Sequence, residues 1–155
     1  MTDLSDLLVP DAVVSTLAVS NKKALFQQLG GIAARAYGLD AKLVTERLAE
    51  REKLGSTGFG GAVAIPHAKL EELRHVTGIF AALEKPVDFA AVDEVPVDLV
   101  FVLLSPVSAG AEHLKALARV SRRLRDRGFA AKLRGAGSPD ALYALLTGVE
   151  ARDAA

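Results

Sequence analysis

The chain is 155 residues long and half apolar, with 19 basic and 19 acidic residues, three histidines and no cysteine. That composition excludes a disordered chain and any disulfide or thiolate chemistry, and a formal net charge of zero gives no prior for nucleic acid or a membrane surface. For 16.3 kDa, area scaling gives roughly 7,500 Å² exposed when folded against about 23,600 Å² unfolded, enough burial for one domain over 1–155 with a core from about 4 to 149.

A short apolar turn, Leu4–Leu8, precedes Pro10, and the β-branched stretch Ala12–Val19 predicts a strand. Ser20 is the expected N-cap of a helix reaching Tyr37, with Leu25, Leu29 and Ile32 at helical spacing and Gly38 as its stop. Asp40 caps a second helix to about Lys53, its faces marked by Leu43, Arg47 and Leu48. Gly55–Gly61 is too glycine-rich for regular structure and reads as a loop. Strands are expected at Ala62–Ile65, Thr77–Leu83 and Val97–Leu104, the last an apolar run suited to a strand covered on both faces. Glu112 to about Asp126 reads as a helix with Leu114, Leu117, Ser121 and Leu124 on one stripe. A basic segment follows to Arg134, and Ser138–Pro139 opens a last helix ending near Thr147. The first few residues and the tail after Val149 are the expected loose ends. Helices interleaved with a few strands imply an α/β fold, a sheet with helices on both faces. The longest apolar run, Leu99–Leu104, has six residues, against the ~20 of a membrane helix. Met1-Thr2-Asp3 lacks the start of a secretory signal, so a cytoplasmic location without membrane insertion is expected.

Chemistry concentrates in Arg51–Lys69, REKLGSTGFGGAVAIPHAK. A helix end supplies Arg51, the glycine loop supplies Ser56 and Thr57, and a short strand ended by Pro66 delivers His67 to its terminus. Glycines let backbone N–H groups approach an anion closely. A P-loop is ruled out because Gly60 and Gly61 are followed by Ala62 and Val63, and the dinucleotide motif lacks its third glycine. GxSxG is absent, and three scattered histidines without HExxH make no zinc site, so no metal or cofactor is expected. Histidine as a nucleophile remains: neutral imidazole is available near pH 7 and can accept a phosphoryl group. Such transfer needs in-line placement and donors for the equatorial oxygens, which Arg51, Ser56, Thr57 and loop N–H groups can supply. His113 lies about 40° from Leu117 around its helix and reads by itself more as a structural residue than a functional one, while His75 reads as a surface residue.

The stretch REKLGSTGFGGAVAIPHAKLE, with DLVFVLLSP and HLKALARVSR after it, closely resembles the IIA domain of the phosphoenolpyruvate-dependent phosphotransferase system. The class is the mannitol/fructose-like one, and the likeness is greater still to its nitrogen-regulatory branch. The resemblance runs from about Leu4 to Val149. It implies a mixed sheet sandwiched between helices, His67 as the phosphorylated histidine, and His113 as the second active-site histidine. Arg51 then stabilises the phosphoryl charge, and Ser56 or Thr57 is the loop hydroxyl that binds phosphate. Ala68 departs from the glycine usual after the histidine, and the asparagine-like position between the loop glycines is missing.

The function so implied is a regulatory phosphocarrier. It accepts a phosphoryl group from a histidine-containing phosphocarrier protein and controls partners, such as potassium-transport components or sensor kinases, by its phosphorylation state. The alternatives are a sugar-specific IIA component serving a separate IIB/IIC permease, and a binding module that never turns over phosphate. The zero charge also divides unevenly. Arg119–Arg134 holds seven basic residues and one acidic, +6 against −6 for the rest, which suits either a solvated basic face or an acidic protein partner. Phosphorylation of His67 then moves the total to roughly −2.

Overall fold

The computed structural model describes residues 4–148; the ends expected to be loose lie outside them. A 3-10 turn, Pro10–Ala12, leads into β1 (Val13–Leu17), followed by α1 (Lys22–Tyr37) and α2 (Ala41–Lys53). Three short strands come next, β2 (Gly58–Gly60), β3 (Val63–Ala64) and β4 (His67–Leu70), then two long ones, β5 (Thr77–Val87) and β6 (Val97–Pro106). The chain closes with α3 (Gly110–Arg125), α4 (Arg127–Gly135) and α5 (Pro139–Thr147). Helix starts follow capping chemistry. Asn21, not Ser20, caps α1, its Oδ1 accepting from Ala24 N at 2.8 Å, because an amide one residue later reaches the open N–H as well as a hydroxyl does. Asp40 and Ser138 cap α2 and α5 as expected. None of the described helices is long and apolar enough to cross a membrane.

The six strands form one mixed sheet of order β1-β5-β6-β3-β2, with β4 also paired to β6. β6 is its axis: antiparallel to β5, parallel to β3 at Leu99 and Val100, and parallel to β4 from Leu103 onward. Two expectations are corrected here. Gly58–Gly60 is not loop but a short strand antiparallel to β3, joined to it through left-handed backbone at Gly61 and Ala62. Pro66 does not end the strand run either. It interrupts it, and β4 resumes along β6, because proline lacks only the donor and its carbonyl still accepts from Leu103 N at 2.9 Å.

Side-chain alternation along β6 sorts two cores. Val100, Val102 and Leu104 join Leu25, Phe26, Leu29, Ile32, Val44 and Leu48 beneath α1 and α2. Leu99, Phe101 and Leu103 join Val120, Leu124, Phe129, Leu133 and Leu142 beneath α3–α5. The period of two therefore commits each β4 residue to a face: Ala68 and Leu70 belong to the α1–α2 core, and His67 and Lys69 to the α3 side. The stripe expected on α3 is rotated. Its buried residues are His113, Ala116, Val120 and Leu124, while Leu114 is 65% exposed. A small alanine and a histidine at the seam carried too weak an apolar signal to set the phase. The basic segment is partly folded back onto the body: Arg119 pairs with Asp6 at 2.8 Å, Arg134 pairs with Asp98 at 2.9 Å, and Arg123 stacks on Phe129.

Candidate active site

His67 opens β4 at the edge of the sheet, half-buried, on the face that α3 covers. Its Nδ1 lies 2.9 Å from the Ile65 carbonyl, which can only accept. The proton therefore sits on Nδ1 and the lone pair on Nε2. Arg51, in the last turn of α2, donates its Nε–H to that Nε2 at 3.1 Å, while its Nη1 donates to Gly55 O at 2.9 Å. Burial lowers the His67 pKa from its ordinary value, and the Arg51 charge adds to the shift, against the raising effects of the Ile65 hydrogen bond and of Glu52. The ring is held neutral, with its nucleophilic nitrogen already oriented toward a guanidinium.

His113, one turn into α3, brings its ring centroid to 5.5 Å from that of His67. It is 7% exposed. Its Nδ1 lies 2.6 Å from the hydroxyl of Ser105, which is itself fully buried on β6. Burial lowers the His113 pKa, and the neighbouring His67 and Lys69 push it the same way. Sheet and helix thus bring together His67, His113 and Arg51, residues far apart in sequence.

Ser56 and Thr57 are placed differently from the other three. Thr57 is buried and donates its hydroxyl proton to Glu52 Oε2 at 2.6 Å, with its N–H also directed at the Glu52 carboxylate. Ser56 donates to Phe89 O at 2.6 Å and accepts from Gly58 N. Both hydroxyl protons are spent on shaping the loop. Glu52, 9% exposed, is the hub: Lys22 Nζ reaches its Oε1 at 2.9 Å and also donates to Phe89 O. Sequence reasoning missed Glu52, Lys22 and Ser105. A signal existed for two of them. Glu52 continues the buried Val44–Leu48 stripe by another four residues, and Ser105 is the first polar residue after an unbroken apolar run. His75 is exposed, as its sequence context suggests.

Chemically, the arrangement offers an unprotonated imidazole nitrogen, a planar guanidinium against it and a second imidazole beside it, which is the donor set for a tetrahedral oxyanion on His67 Nε2. The family profile described as phosphoenolpyruvate-dependent sugar phosphotransferase system, EIIA 2, matches residues 6–149. The chain is 48% identical over 143 residues to a nitrogen regulatory protein of Bradyrhizobium diazoefficiens, covering 92% of this chain and 94% of that one. The crystal structure of nitrogen regulatory protein IIA-Ntr from Neisseria meningitidis matches at a TM-score of 0.84 and 36% identity, covering 92% and 98% of the two chains. The IIA mannitol structure from Escherichia coli shares the fold at a TM-score of 0.75 and 20% identity, covering 90% and 98%.

Proposed function

The chain belongs to the EIIA 2 family of the phosphoenolpyruvate-dependent sugar phosphotransferase system and is similar throughout to its nitrogen regulatory members, and from that premise we propose that it is a cytoplasmic regulatory phosphocarrier. The lone pair of His67 Nε2 attacks the phosphorus carried by a histidine-containing phosphocarrier protein. The new N–P bond forms as the old one breaks, and the bonding pair returns to the donor's imidazole. Arg51 must leave Nε2 for this to happen. Anchored at Gly55 O, its guanidinium then has N–H groups at hand for the incoming oxygens. His113 faces the same oxygens from the other side.

The observation that carries this reading is the Nε2 lone pair, fixed by the Ile65 carbonyl and covered by Arg51. The loop hydroxyls support it indirectly: with their protons given to Phe89 and Glu52, Ser56 and Thr57 hold the loop that positions Arg51. Regulated proteins are engaged according to phosphorylation state, with potassium-transport components and sensor kinases as the expected classes. The exposed arginines of the α3–α4 junction suit an acidic segment on such a partner.

Incubation with phosphoenolpyruvate, the carrier and the enzyme that charges it should place an acid-labile phosphoryl group on His67, mapped by peptide mass spectrometry. Label on another residue, or undiminished label in His67→Ala, would overturn the proposal. Capture from lysate in both states then separates the regulatory role from the sugar-specific one, because phosphoryl transfer to a sugar IIB domain would favour the latter.

A further inference from the structure

We infer that Ser105 is a positioning residue that sets the tautomer of His113, so that the neutral ring presents Nε2–H to the group carried on His67. This rests on the proposed phosphocarrier reading. Ser105 Oγ is fully buried on β6, and His113 Nδ1, at 2.6 Å, is its sole hydrogen-bond partner among the described residues. A serine hydroxyl has one proton to give and can accept as well. If Nδ1 carried the proton and donated to Oγ, the serine O–H would point into the protein without an acceptor, an outcome buried donors avoid. Donation from Ser105 to Nδ1 satisfies both groups. It leaves the lone pair of His113 on Nδ1 and the proton on Nε2.

The opposite edge of the ring is free to use that proton, since Nε2 of His113 has no partner among the described residues and is not among the buried unsatisfied atoms. His67 is in the reverse state: the Ile65 carbonyl puts its proton on Nδ1 and its lone pair on Nε2. Two histidines with ring centroids 5.5 Å apart are thus set by two different neighbours as one acceptor of phosphorus and one donor to its oxygens. Register makes this possible. Ser105 pairs with Lys69 and Leu103 with His67, which places Ser105 on the same face as His67 and two positions further along β6. Alternation alone would have put an apolar side chain there, and the two core residues before it on that face are Phe101 and Leu103.

Long-range proton–nitrogen correlation spectra of the full, unphosphorylated chain test the assignment without a variant. His113 should show a pyridine-like Nδ1 and a pyrrole-like Nε2, and His67 the reverse. In Ser105→Ala the His113 nitrogens should move toward averaged shifts and phosphoryl acceptance from the carrier should slow by about tenfold, the effect of one lost hydrogen bond, while the His67 shifts hold. Ser105→Thr, which keeps the hydroxyl, should restore both. A pyrrole-like Nδ1 on His113 in the native chain, or unchanged His113 shifts in Ser105→Ala, would overturn the inference. Because the spectra are read without phosphorylation, a failure to label His67 would refute the phosphocarrier reading separately.

Discussion

The Ile65 carbonyl holds the Nδ1 proton of His67 and leaves Nε2 beneath the Arg51 guanidinium, so in the proposed reaction the nucleophile rests under a cover that must move aside. Burial keeps that ring and His113 neutral, and this has a consequence for stability. The folded pKa values lie below the ordinary histidine value of about 6.5, so in that interval the unfolded chain binds more protons. The stability the two rings contribute is complete above about pH 6.5 and drains away as the pH falls below it. Unfolding midpoints followed from about pH 7 to 5 should decline, and decline less in the His67→Gln/His113→Gln variant; equal slopes would contradict the burial account. The Ala68 methyl packs in the α1–α2 core, on the opposite face from His67, so it does not narrow the approach to the His67 ring. His67 and Arg51 were legible as candidates because unusual residue types cluster within one short stretch, and the fold brings the two together. Ser105 and Glu52 were not, because their roles depend on register and on a helix phase that brings distant residues alongside.

α2 does more than present Arg51. Its last turn also carries Glu52, whose carboxylate holds Lys22 of α1 and both polar groups of Thr57, so one turn of helix fixes the loop on one side and the nucleophile's cover on the other. Replacing Glu52 with alanine removes the buried carboxylate that holds the partly buried Lys22 ammonium and frees the loop. Denaturant unfolding should show a loss of about 3 kcal/mol, as for a broken buried pair, and phosphoryl acceptance should weaken with it. A loss below about 1 kcal/mol, the range of exposed pairs, would contradict the role. Among elements, long periodic ones were legible: α2, α5 and β6 follow their caps and apolar runs closely. The short strands β2 and β4 were not. β2 and β4 contain glycine, lysine and histidine and take their strand character from neighbours, β3 and β6, that no local propensity reveals.

For the whole molecule, the uneven charge is partly neutralised by folding, since Arg119 and Arg134 pair with Asp6 and Asp98. What stays available is a groove where Arg125 and Arg127 stand beside Phe59 and Val63. Arg125→Glu with Arg127→Glu should reduce capture of an acidic regulated partner and leave His67 labelling intact; unchanged capture in a pull-down would discard that docking role. Phosphorylation of His67 would bring about two negative charges to the start of β4, which pairs with β6 further along than the groove's Val63, one of them offset while Nδ1 keeps its proton against Ile65, a change in surface charge that a partner can read. Nitrogen-15-labelled protein, phosphorylated through the carrier and observed by phosphorus and nitrogen NMR, should show a one-bond coupling between phosphorus and Nε2 of His67. Coupling to Nδ1 of His67, to His113, or to no histidine at all would contradict it.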